Sequence, residues 1–371
     1  MTVASSVVHK RARSALQNLF IADALAMPVH WFYNVNDIQK AFPGGVDRFE
    51  AAPALHPSSI MPLHSTRHGG RGKQSADDKT QHIVGDVILK GKRQFWGLPG
   101  GHYHQGMTAG QNTLNAHCAR LVIRCLNANA GKYDQDLFLQ EYIAFMTADE
   151  PRHPDTYAES YHRGFFANYL QGMSPECCGA VTHDTPSIGA LVTIAPIVIA
   201  GRLHGITLSD VITACRQHLL LTHPDEGLAR ICEHYVRLID ALLYRESGQS
   251  ARDLIADAAR SSVSLNLPAL LNKGYDDREV IGRVYSSACY IDGAWPGVLY
   301  LLYKYIDDPL TALLANTNLG GDNVHRGAVL GVLLGLASPD NLTCWFRYLA
   351  DCPDIDAEIQ DLLSQGIHSD T

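Results

Sequence analysis

Gly320-Gly321-Asp322-Asn323-Val324-His325, followed by Gly327-Ala328-Val329-Leu330-Gly331, is the stretch on which the fold reading turns. Gly327, Gly331 and Gly335 recur every four residues, so they share one face of a helix read over His325–Leu336. Glycine inside a helix costs about 1 kcal/mol relative to alanine. Three on one face make sense where a second helix backbone packs directly against that face. The stretch therefore predicts a central, tightly packed helix, the last of the chain.

Working outward, helical spacing dominates. Val8, Ala12, Ala15, Leu16, Leu19 and Phe20 predict a first helix that Pro28 ends. Further helical patterns cover residues 113–126, 136–147, 157–170, 191–200, 208–218, 227–244, 251–259, 295–305 and 309–317. From Asn34 to Gly101 the periodicity dissolves among Gly44-Gly45, Pro53, Pro57, Pro62 and the run Thr66-Arg67-His68-Gly69-Gly70-Arg71-Gly72. A segment this long without periodicity reads as a functional loop or lid, with a short strand at 83–89. No repeat and no Pro/Ser-rich linker divides the chain. The expectation is one all-α domain over residues 1–371, a compact orthogonal bundle, with a long lid or loop insertion at about 34–105.

Composition excludes several partner classes. With 38 acidic against 30 basic residues the formal charge is -8, so there is no basic footprint for nucleic acid or an anionic membrane surface. Lys10, Arg11 and Arg13 ahead of Ala24-Leu25-Ala26 mimic a secretory signal, but Gln17, Asn18 and Asp23 interrupt the apolar run. The longest apolar stretch elsewhere, Ile188 to Ala200, contains Pro196 and is too short to span a bilayer. Nine cysteines, with Cys177 and Cys178 adjacent and no C-x-x-C, read as reduced residues of a cytoplasmic protein, mostly filling the core. Eighteen histidines supply groups that move protons near neutral pH or bind metals.

Several ordered segments resemble the ADP-ribosylglycohydrolase family, which includes dinitrogenase-reductase-activating enzymes, ADP-ribosyl-acceptor hydrolases and J1-type crystallins. They are Ala22-Asp23-Ala24-Leu25-Ala26-Met27-Pro28-Val29-His30, Ile194-Ala195-Pro196, Thr222-His223-Pro224, Ala294-Trp295-Pro296 and the opening stretch at Gly320–Gly331. The likeness runs over roughly residues 8–338. It implies the family's all-α bundle and a hydrolase centred on two Mg²⁺ ions, which bind oxygen ligands.

The family's metal ligands are mostly replaced. The Thr-Asp-Asp-Thr motif corresponds to Thr108-Ala109-Gly110-Gln111, the second C-terminal aspartate to Val324, the final threonine to His325 and the first-signature glutamate to His30. Asp322 and Thr108 remain. One carboxylate and a hydroxyl cannot hold two magnesium ions, so no residue is assigned to a metal and the cofactor stays open. Asp77-Asp78 superficially resembles the lost motif, but a solvated loop is the plainer reading. The family's Gly-Asn-Gly-x-x-Met-Arg loop corresponds to Ser187-Ile188-Gly189-Ala190-Leu191-Val192-Thr193, without its Asn and Arg.

Polar residues cluster where the acids were lost. N-glycoside cleavage needs an anion beside the sugar, a base for water and an acid for the leaving group. Asp322 suits anion or base, and His30 or His325 suits acid. His223, Ser187, Gly189, Thr108, Gln111, Asn112, Asn323 and Gly321 form the candidate substrate-binding set, with Ser187 and Gly189 offering backbone N–H groups. His102-Tyr103-His104 places two imidazoles on one side of an extended segment, a donor set suited to a transition metal. Arg67, His68 and Arg71 fit an anion clamp or a solvated loop. His183-Asp184 suits a ligand or a turn, Asp23 suits loop amides, and Trp31, Phe32 and Tyr33 suit cleft or core. The expected function is cleavage of an N- or O-glycosidic bond in a ribosyl, ADP-ribosyl or nucleotide-type substrate without the two-magnesium centre. The alternative is a non-catalytic nucleotide binder or a structural, crystallin-like protein.

Overall fold

The computed structural model describes residues 3–58, 83–95, 100–182, 184–339 and 342–364. Arg67, His68, Arg71, Asp77-Asp78 and His183 lie outside them. Helix α1 (Val3–Ala26) leads into a 3-10 turn at Met27–Val29, then α2 (Val35–Ala41). The middle of the chain forms α3 (Leu114–Ala128), α4 (Gln135–Met146), α5 (Ser160–Leu170), α6 (Ile194–Leu203), α7 (Leu208–Leu220) and α8 (Glu226–Leu243). The remainder forms α9 (Ala251–Val263), α10 (Leu267–Leu271), α11 (Asp277–Val280), α12 (Ile291–Lys304), α13 (Pro309–Leu319), α14 (Asn323–Ala337), α15 (Thr343–Phe346) and α16 (Cys352–Ser364).

Starts are set by side-chain caps that satisfy otherwise orphaned helix N–H groups. Asp134, Thr207, Asp225, Ser250 and Asp308 each accept from the backbone three residues on. Asp276 and Glu279 close a reciprocal capping box on α11.

The centre is the α1–α14 pair. Every residue of α14 is buried, as a helix apolar all round requires. The glycine reading holds: a Cβ on Gly331 would lie 2.4 Å from the Asn18 carbonyl oxygen, and one on Gly335 2.5 Å from Ala15 N. The α1 backbone occupies that space.

Two expectations are corrected. Residues 83–89 form no strand; Ile83–Ile88 is a π-helical turn, and the described residues pair only through isolated bridges. A β-branched run with no partner strand leaves its backbone groups unpaired, so it closes them internally. Nor is the glycine helix the last, since α15 and α16 follow. Arg120 of α3 holds α16 by a fork onto Glu358, both bonds 2.9 Å, with Asp351 at 2.7 Å. Ile355, Ile359, Leu362 and Leu363 face inward there at helical spacing. No described helix is long and apolar enough to cross a membrane, and all nine cysteines are unpaired.

Candidate functional site: a buried imidazole–carboxylate array

Where α1 stops, Pro28 opens the 3-10 turn and the chain reverses through Trp31, whose φ of +60° is costly for a bulky side chain. Main-chain bonds hold that turn against the loop before α14. Trp31 N donates to Gly321 O and Gly321 N to Phe32 O, both at 2.8 Å. Gly320 and Gly321 have φ of +65° and +64°, and a Cβ on Gly321 would sit 2.1 Å from Ser287 O. Asp322 N in turn donates to Ser287 O at 2.8 Å. Asp322 therefore stands at the start of α14 without capping it, and its carboxylate points at histidines. A Gly321→Ala variant is expected to move Ser287 and Asp322 and to lower the thermal midpoint by several degrees, measurable by circular dichroism.

The side chains form one continuous series. Asp155 Oδ1 faces His104 Nδ1 at 2.8 Å, and His104 Nε2 faces His30 Nδ1 at 2.7 Å. His30 Nε2 lies 3.0 Å from Asp322 Oδ1, and the same oxygen is 2.7 Å from His325 Nδ1. His325 Nε2 then reaches Glu159 Oε1 at 2.9 Å and Asn115 Nδ2 at 2.8 Å. Behind Asn115 stand Tyr161 Oη at 2.5 Å and His162 Nε2 at 3.2 Å. Asp155, His104, His30, Asp322 and His325 are all at most 2% exposed.

Two atoms are left over. Asp322 Oδ2 has no hydrogen-bond partner, and His325 Nδ1, although close to Oδ1, is not aligned to donate to it. Burial and the neighbouring imidazoles pull the His30 ring well below its ordinary value, against the pull of Asp322. Burial opposes charge on His325 too, but Asp322 and Glu159 outweigh it and hold that ring well above its ordinary value. Burial raises Asp322, yet His325 and His30 win and keep it ionised. Burial raises Glu159 against the pull of His325.

Glu159 connects this interior to solvent. With Trp31, Tyr157, Ser160, Tyr161, Asp184, Ser187 and Cys289 it lines a narrow pocket of about 320 Å³ counted out to solvent, of which about 20 Å³ is wide enough for water. That is room for roughly one molecule. Trp31 stacks on His30 with centroids 3.6 Å apart.

The structure thus brings His30, Asp322 and His325 together. The candidate binding residues are placed more variously. Asn112 Nδ2 donates to Asp23 and to Phe20 O, both at 2.8 Å. Asp23 also accepts from Thr113, so it serves loop groups as expected. Gln111 Oε1 accepts from Thr108 N, closing a turn in which Thr108 is exposed. Ser187 Oγ accepts from Gly189 N, which occupies that N–H locally. Asn323 Nδ2 straps Thr317 O and Val29 O, and Gly321 acts through its backbone. His223 is buried against Tyr161 and pushed down to about 3 by burial. His102 donates through Nε2 to Pro28 O and accepts His104 N at Nδ1, so it has no free nitrogen for a metal.

Sequence reasoning missed Glu159, Asp155 and Asn115. Asp155 sits just before, and Glu159 within, the stretch 157–170 read only as a helix. Nothing in their spacing links them to His30 or His325; tertiary packing makes that link.

The family model for ADP-ribosylglycohydrolases matches residues 4–363. The chain belongs to the ADP-ribosylglycohydrolase family. Among solved structures it is similar to one titled "ADP-ribosylglycohydrolase-related protein complex", with a TM-score of 0.57 and 17% identity, covering 98% of this chain and 100% of that one. That likeness supports the fold. No curated protein matches the chain. The family's pair of magnesium ions does not fit this site. Asp322 is flanked by imidazoles, Val324 is fully buried and apolar, and Asp155 and Asp23 are occupied by protein donors. Magnesium requires oxygen ligands in near-octahedral order.

Proposed function

We propose that this ADP-ribosylglycohydrolase family member hydrolyses the N- or O-glycosidic bond of a ribosyl, ADP-ribosyl or nucleotide-type substrate without the two-magnesium centre. One observation carries the reading: the buried array ends at Glu159, which lines a pocket with aromatic walls and space for about one water. A sugar ring at the mouth and a water beside Glu159 match what glycoside hydrolysis must bring together. Water adds to the anomeric carbon, the glycosidic bond breaks, and the leaving group takes up a proton. Glu159 is the group of the array that meets the pocket, so it exchanges protons with the water or leaving group. His325 positions it, and Asp322 fixes His325 from behind. His30, Asp322 and His325 are enclosed, so the roles of acid and base first considered for them pass to Glu159.

The test is release of free sugar or ADP-ribose from a panel of nucleosides and ADP-ribosyl adducts, without added magnesium. Turnover is expected, and Glu159→Gln should reduce it by about 10²–10⁴-fold, the usual worth of a general acid–base group. No release from any member of the panel, or an unaffected Glu159→Gln, would remove the reading.

A further inference from the structure

We propose that His30 Nε2, Asp322 and His325 Nδ1 form a site for a single divalent transition-metal ion of the zinc class. One donor atom from each residue lies within 4.8 Å of the others, in a fully buried setting. This inference stands apart from the hydrolase reading, because it concerns binding and not turnover.

Hydrogen-bond accounting carries it. His325 Nε2 lies between the Glu159 carboxylate at 2.9 Å and Asn115 Nδ2 at 2.8 Å, while Nδ1 faces Asp322 with no aligned partner, so a metal ion bound there displaces the Nδ1 proton. On the other side, His104 donates through Nδ1 to Asp155, leaving Nε2 to accept from His30 Nδ1. A neutral His30 then turns its Nε2 lone pair toward the same Asp322 oxygen, 3.0 Å away. Two imidazole nitrogens and a carboxylate thus converge on one point, an arrangement that a cation satisfies.

Three further features agree. Asp322 Oδ2 and His325 Nδ1 are buried with no hydrogen-bond partner among the described residues, a state that normally costs about 1–3 kcal/mol for each group. Both imidazoles have their far nitrogens held by a group leading to a carboxylate, the outer-shell pattern that fixes a ligating histidine. The donor set of two imidazoles and one carboxylate suits zinc or its neighbours and leaves a coordination position open. Magnesium, which the family resemblance implies, is the wrong ion for it. When bound, such an ion acts as a Lewis acid and lowers the pKa of coordinated water.

The experiment is a calorimetric titration of metal-stripped full-length protein with Zn²⁺, and separately Mg²⁺, repeated on His30→Ala, His325→Ala and Glu159→Gln with folding checked by circular dichroism. One Zn²⁺ per chain is expected, with no magnesium binding. Either histidine variant should lose the site, and Glu159→Gln should weaken it by about 10–100-fold. Should the histidine variants fail to fold, X-ray absorption at the zinc edge of the unaltered, loaded protein reads the site directly. Two imidazoles in the zinc shell support the proposal. No 1:1 binding, binding unchanged in the histidine variants, or a zinc shell without imidazole overturns it.

Discussion

A Gly331→Ala variant is expected to lose about 3 kcal/mol of stability, the upper end for overpacking a close-packed interior. The added Cβ would lie 2.4 Å from Asn18 O and 2.9 Å from Asn18 C, backbone atoms that cannot swing aside as a side chain would. Alanine's better helix propensity returns only about 1 kcal/mol. Gly331→Ala combined with Gly335→Ala, which meets Ala15 N and Ser14 at 2.5 Å, is expected not to accumulate as folded protein. Gly248→Ala is the control. That glycine has nothing within 4 Å of a built Cβ and should stay within about 0.5 kcal/mol of the parent. Urea denaturation followed by helical circular dichroism measures all three. A Gly331→Ala midpoint close to the parent's would contradict the close α1–α14 contact.

Replacement of Asp155 should have the second large effect. Its carboxylate accepts from His104 Nδ1 and Tyr157 N through one oxygen and from Leu114 N through the other. It therefore fixes both the outer end of the array and the start of α3. Asp155→Ala strands these buried donors and is expected to cost about 3–5 kcal/mol, as when one partner of a buried charged group is removed. Asp155→Asn keeps an acceptor and should cost less. The two also differ in pH behaviour. Burial pushes the Asp155 carboxyl up, but His104 and the backbone donors win and hold it well below the ordinary carboxylate value. A depressed folded pKa gives stability that is full above the unfolded value of about 3.9 and is lost as pH falls through the folded one. Asp155→Asn should therefore flatten the acid side of the stability profile below about pH 4. A profile as steep as the parent's would mean that Asp155 is not held ionised.

Much of the fold was legible in the chain. Gly327, Gly331 and Gly335 announced a helix pressed against another backbone, because a four-residue repeat of the smallest side chain is a local statement about one helix face. Val8 to Phe20 marked its partner for the same reason. The caps at Asp134, Thr207 and Asp225 follow from local chemistry. Of the site, Asp322, His30 and His325 were legible through ordered resemblance to the ADP-ribosylglycohydrolases, and their spatial meeting follows from the turn at Gly320-Gly321.

Only the tertiary structure decided the rest. Glu159 and Asp155 lie four residues apart, yet one closes the array toward solvent and the other at its buried end, 163 to 170 positions from Asp322 and His325 in sequence. No periodicity encodes such a pairing, because it depends on how α5 and the segment before it pack beside the end of α1. Which of the eighteen histidines bond backbone, as His56 and His102 do, and which face a carboxylate was likewise undetermined. An imidazole carries the same two nitrogens everywhere, and its neighbours fix which one holds the proton.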